Sequence, residues 1–360
     1  MAAMPEGLDA TSRLVALTLL RRGPRSRAEL CRELGLSSAS LTRLTRPMLE
    51  AGILSEGDPV APLTTGRPSL PLSLVPGAAH VVGVKLVTGR AHLVLTDLSA
   101  TVLDRLEVDD ELDSPERAAQ VLARALDRWA DHRPSGLGIS LGADVDRDGR
   151  VGSAPFLGWP ASRLPQLVQQ ATGLPAVAGN DVNALAVAEH WFGAGRELSD
   201  FAVITVGMGI GLGLVCNDQM VPGHDGRAGM VGRMCLPGGT AGELLADRAL
   251  AARLGRELGE AVSVEDLPLL ASRPEAAGVL RAAARDLGHL AAQVGMVSAP
   301  RRVLVTGEGI GLLIRHQEEV LAGLQELAGP GAPELVLEEL EFSEWARGAA
   351  CLAIRELLAG

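Results

Sequence analysis

The sequence predicts an α/β protein with an N-terminal winged helix-turn-helix and a larger body of two βαβ-rich lobes flanking a cleft. Three stretches carry this reading. Residues 11–74 alternate three short helical patterns with two short strand patterns. Residues 175–192 run from a strand through Asn180-Asp181 into a helix. Residues 201–213 run from an apolar strand into alternating glycines.

The head is read first. Residues 11–22 form a helix with Leu14, Leu17 and Leu20 on one face, and Gly23-Pro24 ends it. Ser26 caps a second helix over residues 27–34, with Glu29 at the capping-box position. Gly35 makes the turn into a third helix, residues 38–51, closed by Gly52. Helix, short glycine turn and helix is the helix-turn-helix pattern, although three bundled helices would share the spacing. Residues 53–56 read as a strand, residues 57–68 as a turn-rich loop and residues 70–74 as the returning strand, which makes a wing.

Charge favours DNA for this head. Residues 11–54 hold eight arginines against three glutamates, a balance of +5, so with a net charge of −11 the remainder carries −16. A small basic module on an acidic body is the electrostatic footprint of a DNA-binding head, while a solvated arginine-rich surface gives the same count. The third helix is expected to contact bases through Ser37, Ser38, Ser40, Thr42 and Arg43, with Arg46 near phosphate. Pro47 removes a bond to the carbonyl of Arg43, so a bend is expected there.

Composition bounds the rest. A chain of 360 residues suggests two or three domains, and 47% hydrophobic against 21% charged residues can bury large cores. Tyr is absent and aromatics reach only 2%, which leaves no stacking platform for single-stranded nucleic acid. Cys31, Cys216, Cys235 and Cys351 show neither a disulfide framework nor zinc spacing. No run of about 18 apolar residues and no signal-peptide core are present, so a cytoplasmic protein without membrane contact is expected.

In the body, residues 81–86 and 91–96 read as paired strands. A helix at about 114–132, a strand at 136–141 and a loop at 153–159 follow. A helix over residues 184–192 places Asn180 and Asp181 at its N-terminus, where free N–H groups and the dipole collect. Asp181 is there either a cap or a base aimed at a substrate hydroxyl. The glycines at 207, 209, 211 and 213 let backbone approach a ligand, and they also suit a hairpin with residues 212–216 returning. A long helix at 282–298 feeds the strand 303–305 and the turn Gly307-Glu308-Gly309. A last helix runs over residues 343–358.

The Asn-Asp-Val-Asn-Ala element at 180–184, the Thr205-x-Gly-x-Gly-x-Gly hairpin and Gly226-Arg227-Ala228-Gly229 together resemble the ROK family of bacterial sugar kinases and sugar-responsive repressors. The resemblance runs from about residue 10 to the C-terminus. It implies an actin-like sugar-kinase fold, with residues 1–76 as the DNA-binding domain and 77–360 as a sensor and oligomerisation domain. Gly66-Arg67-Pro68 is similar to the wing tip of ROK repressors. An arginine held out by that stiff turn suits a narrow minor groove.

The departures from the family pattern shape the functional expectation. Where ROK kinases carry Asp-x-Gly-Gly-Thr to hold metal and ATP phosphates, this chain has Lys85-Leu86-Val87-Thr88-Gly89. The family's sugar-binding Asn, Glu and His become Phe156, Met230 and Arg233, and its cysteine-rich zinc loop is missing, so neither metal nor cofactor is expected. Glu243 matches a sugar-contacting glutamate. The expectation is a regulator, a repressor by type, whose kinase-like domain is a sensor or scaffold and not an enzyme. It would bind an inverted-repeat DNA operator as a homodimer or dimer of dimers. A sugar, sugar phosphate or other anion would bind among Phe156, Asn180, Asp181, Met230, Arg233 and Glu243. The alternatives are a regulator of carbohydrate genes with residual sugar binding, and an active sugar kinase.

Overall fold

A computed structural model describes residues 9–59 and 69–359. The chain forms two compact units, Met1–Ala184 with Trp345–Gly360, and Leu185–Glu344.

The head opens with α1 (Ala10–Arg22), capped by Asp9, whose Oδ1 accepts from the Ser12 N–H at 2.8 Å. Its buried face is Ser12, Val15, Ala16, Leu19 and Leu20, whereas Leu14 is 48% exposed. The expected Leu14–Leu17–Leu20 face is therefore corrected. The row spaced three and four apart from Ser12 packs inward, where the Ser12 hydroxyl meets the Leu44 carbonyl.

Helix α2 (Arg27–Leu34) carries the expected reciprocal box between Ser26 and Glu29, and Gly35 closes it with φ of 65°. Helix α3 (Ser38–Glu50) is capped by Ser37 and stays helical through Pro47, with the Ala51 N–H donating to the Pro47 carbonyl at 2.9 Å. Strands β1 (Leu54–Glu56) and β2 (Leu72–Leu74) pair antiparallel as the wing. Arg25 adds a bridge to Leu72 that the sequence pattern did not reveal. The wing tip, Arg67 included, lies outside the described residues. Pro76–Ala78 forms a single 3-10 turn, and its Pro76 carbonyl accepts from the Leu98 N–H.

The rest of the first unit is built on β3 (His80–Val87), β4 (Arg90–Asp97), β5 (Val102–Asp109), β6 (Leu137–Leu141) and β7 (Ala176–Asn180), in the order β5-β4-β3-β6-β7. The first two pairings are antiparallel and the last two parallel. Strand β5 was not expected. It is an edge strand, and Asp104, Arg105 and Glu107 give it the look of a loop. Helices α4 (Pro115–Leu126) and α5 (Leu164–Thr172) cover one face, where Val82, Val84 and Leu86 join the core.

The opposite face of this sheet takes the C-terminal helix α13 (Ser343–Ala359). Gly83 and Gly138, paired in register, make that contact possible. A Cβ on Gly83 would lie 1.9 Å from the Ala346 carbonyl oxygen, and one on Gly138 would lie 1.8 Å from that of Ala349. Because side chains alternate along a strand, Lys85 shares the Gly83 face and points toward the start of α13.

Helix α6 (Asp181–Phe192) leads into the second unit. Its sheet is β10-β9-β8-β13-β14, from β8 (Phe201–Val206), β9 (Ile210–Cys216), β10 (Gln219–Met220), β13 (Arg302–Thr306) and β14 (Glu334–Leu337). It has the same sequence of antiparallel and parallel pairings as the first sheet, the paired-sheet arrangement of the actin-like fold. The β8–β9 hairpin forms as expected. The ribbon β11 (Cys235–Leu236) and β12 (Gly239–Thr240) precedes the helices α7 (Ala241–Leu245), α8 (Asp247–Leu258), α9 (Leu267–Leu270), α10 (Ala277–Ser298), α11 (Ile310–Leu313) and α12 (Gln317–Ala328). The unit's core joins strand residues such as Ile204 and Val305 to Leu254, Leu287 and Leu324 from the helices.

Candidate functional site

The head presents one face of α3. Leu41, Leu44, Thr45 and Met48 are buried. On the opposite face Ser38, Thr42, Arg43 and Arg46 are exposed and line an open groove together with Ala39, Pro47 and Glu50. Ser37 sits just before this face as the cap. Its hydroxyl donates to Ser40 Oγ at 2.9 Å and accepts from the Ser40 N–H at 3.1 Å. The Thr42 hydroxyl donates to the Ser38 carbonyl at 2.9 Å. Ser37 and Thr42 therefore spend their donors within the helix, and Ser40 is half-buried. Arg46 Nε donates to Glu50 Oε1 at 2.7 Å.

In the first unit the structure separates the roles of Asn180 and Asp181. Helix α6 starts three residues earlier than its apolar pattern indicates, because Asn180 is its cap: Oδ1 accepts from the Asn183 N–H at 3.2 Å. Asn180 Nδ2 also donates to the Ala143 carbonyl at 3.3 Å. Asp181 is then the first helical residue. Its Oδ1 accepts from the Val182 N–H at 2.9 Å, and its Oδ2 accepts from the Lys85 ammonium. The two side chains are only 6% and 15% exposed. The Lys85 ammonium also lies 4.9 Å from the centre of the Trp345 ring, in cation–π range.

Phe156 completes this corner. Its side chain is half exposed and lies against Gly142, where a Cβ would stand 2.9 Å from Phe156 Cδ2 and 3.7 Å from Asp181 Oδ2. The Phe156 carbonyl accepts from the Thr88 hydroxyl at 2.5 Å. Phe156, Asp181 and Lys85 thus meet at the ends of the strands, where ligands bind in α/β sheets. Lys85 and Trp345 were not among the expected site residues. Lys85 stood out only as a departure from the family pattern.

Met230, Arg233 and Glu243 belong to the second unit. Gly229, at φ of 86°, lies so close to β9 that a Cβ would fall 1.8 Å from the Leu212 oxygen. That contact sets the start of the 3-10 turn Val231–Arg233, on which Met230 and Arg233 are exposed. The turn packs against α7. Glu243 forms a capping box there: its Oε2 accepts from both the N–H and the hydroxyl of Thr240 at 2.9 Å. Those two bonds hold its carboxyl below the usual range. Among the described residues no three His, Cys, Asp or Glu side chains are grouped as metal ligands.

Sequence reasoning missed one charged pair in this unit. Asp247 is buried and its Oδ1 has no hydrogen-bond partner. Burial, and then the nearby Glu308 charge, push its carboxyl up to about 6. Glu308 projects from the Gly307–Gly309 turn, and a Cβ on Gly207 would lie 2.6 Å from its Oε2. The turn was legible as Gly-Glu-Gly, but nothing near Asp247 in the sequence marks it.

The sequence pattern described as the ROK family matches residues 81–356. The chain is 30% identical over 223 residues to the "DNA-binding transcriptional dual regulator NagC" of Escherichia coli (strain K12), covering 59% of this chain and 54% of that protein. It is 28% identical over 231 residues to a "Putative xylose repressor" of Caldicellulosiruptor sp. (strain Rt8B.4), covering 62% of this chain and 58% of that protein. The chain therefore spans about half the length of the curated relatives it matches. Among solved structures, a ROK family transcriptional regulator described as a homolog of the E. coli MLC protein superposes with a TM-score of 0.79 at 22% identity, covering 98% of this chain and 97% of that one. A ROK hexokinase from Thermus thermophilus superposes with a TM-score of 0.65 at 28% identity, covering 75% of this chain and 97% of that one. Among the described residues no helix is long and apolar enough to cross a membrane.

Proposed function

The chain belongs to the ROK family, and we propose that it acts as a cytoplasmic transcriptional repressor that binds double-stranded DNA and no longer phosphorylates sugars. Residues 1–76 are the DNA-binding domain in this reading, and residues 77–360 form the sensor and oligomerisation domain. The observation that carries it is the Lys85–Asp181 ion pair. A general base must be free to take a proton from the reacting hydroxyl. Asp181 instead spends its Oδ2 on a buried ammonium, and that ammonium occupies the strand position at which the family's kinases keep a carboxylate. Phosphoryl transfer depends on metal and cationic groups placed around the phosphates; Lys85 already has its charge matched within the protein.

The α3 face supports the DNA half of the proposal, and the names of the relatives, NagC and the xylose repressors, point the same way. A homodimer or dimer of dimers would read an inverted repeat, because two-fold symmetric heads meet two half-sites. Arg67 would enter the minor groove from the wing. The effector would be a sugar, a sugar phosphate or another anion. Phe156, Asn180 and Asp181 are its candidate contacts in the first unit and Met230, Arg233 and Glu243 those in the second. Its binding would change DNA affinity by favouring one conformation of the protein.

Gel shifts with fragments of the source genome, run beside an ATP-turnover assay with glucose and N-acetylated sugars, test this reading. The expected result is tight binding to a small subset of fragments and no sugar phosphate formed. Equal affinity for every fragment at physiological salt, or steady turnover, would overturn it.

A further inference from the structure

We infer that Glu50 is a specificity-determining residue of the α3 face, which holds the Arg46 guanidinium toward base edges so that Arg46 reads a guanine and not a phosphate. The inference rests on the DNA-binding reading above and revises the expected role of Arg46.

The first support is which nitrogen is used. Arg46 donates to Glu50 through Nε, one helical turn apart. Nη1 and Nη2 have no protein partner among the described residues. With Nε engaged by Glu50, the terminal fork stays free, and that fork matches the paired O6 and N7 acceptors of guanine in the major groove. An unanchored arginine would have to order several torsions on binding.

The second support is charge. Phosphate contacts gain from uncompensated cations that displace counterions. An arginine already paired with a carboxylate offers little of that gain, and the carboxylate repels the phosphate. Facing base edges the same carboxylate is tolerated, because the cytosine amino group is a donor there.

The third support is shape. Ser38, Ala39 and Thr42 are small, so the N-terminal half of the face can approach the groove floor. Arg43, Arg46 and Glu50 follow on the same exposed side. Leu41, Leu44 and Met48 bury the opposite side in the head, which prevents the helix from turning another face to the DNA.

The test uses the full-length protein. A randomised duplex library defines the preferred site, and wild type, Arg46→Ala, Glu50→Gln and Glu50→Ala are then titrated against that site and its single-base variants at several salt concentrations. Wild type is expected to prefer guanine at one position by roughly tenfold. Arg46→Ala should abolish that preference while leaving the salt slope unchanged. Glu50→Gln and Glu50→Ala should still bind but lose most of the same preference. Uniform weakening on all sequences by Arg46→Ala, with a salt slope smaller by about one, would make Arg46 a phosphate contact and overturn the inference. Unchanged base preference in both Glu50 variants would overturn it as well. A wild type that selects no sequence would sink the regulator reading itself, whereas either earlier outcome leaves that reading standing. All three changes are on exposed side chains, and matched unfolding curves would show that the variants fold.

Discussion

Lys85 of β3 and Asp181 of α6 form an ion pair in the interior of the first unit, with the Trp345 ring from α13 against the ammonium. Three elements distant in sequence are tied at one point. Asp181 anchors the start of α6, the helix that leads on to the second unit.

Removing one member of a buried pair strands the other, which typically costs about 3–5 kcal/mol. Lys85→Met is therefore expected to lower urea-unfolding stability by that order. Lys85→Met combined with Asp181→Leu should recover most of the loss, because no charge is left without a partner. A single Lys85→Met variant as stable as wild type would show that water solvates Asp181 in place of the lysine.

The seat of α13 gives a second prediction. Gly138→Ala places a methyl 1.8 Å from the Ala349 oxygen, so strand or helix must move. Overpacking of this kind costs about 1–3 kcal/mol. The expected result is a lower thermal midpoint and a weaker near-ultraviolet signal from the tryptophans, Trp345 included. An unchanged midpoint would contradict the close approach of β6 and α13.

Asp247 makes stability depend on pH in a definite direction. Its folded pKa of about 6 stands above the unfolded value near 3.9. The folded chain thus keeps a proton that the unfolded chain has released between those values, and the contribution present below about pH 4 is lost as pH rises toward 6. Asp247→Asn removes this dependence. Its unfolding free energy, relative to wild type, should rise between pH 4 and pH 7 by an amount on the order of 1 kcal/mol, after allowance for screening at the exposed Glu308. Parallel stability profiles for the two proteins would refute the assignment.

Local rules made much of the fold legible. The Ser26–Glu29 box and Gly35 set the helix-turn-helix, because caps and left-handed turns depend on a few neighbouring residues. The apolar runs at 81–86 and 201–206 announced the central strands of both sheets. Strand β5 escaped because an edge strand needs only one apolar face, and its charged residues hid the alternation. The buried face of α1 was misjudged because three leucines suggested a stripe, yet burial follows the surface that α3 offers.

The candidate site divided in the same way. By itself the sequence determined which residue types stand at the motif positions: Lys85, Phe156, Met230 and Arg233, which the resemblance to the ROK family implies replace a carboxylate and polar sugar ligands, and an Asn180-Asp181 pair at a helix start. Short-range hydrogen bonds convert such local patterns into helix starts and turns. The tertiary structure alone decided that Lys85 neutralises Asp181, that Trp345 comes from the far end of the chain to meet them, and that Asp247 is buried near Glu308. Such pairings join residues from 61 to 260 positions apart. They exist only because Gly83 and Gly138 let a helix lie directly on one sheet, and because the turns after β8 and β13 come together at the C-terminal ends of the central strands of the other.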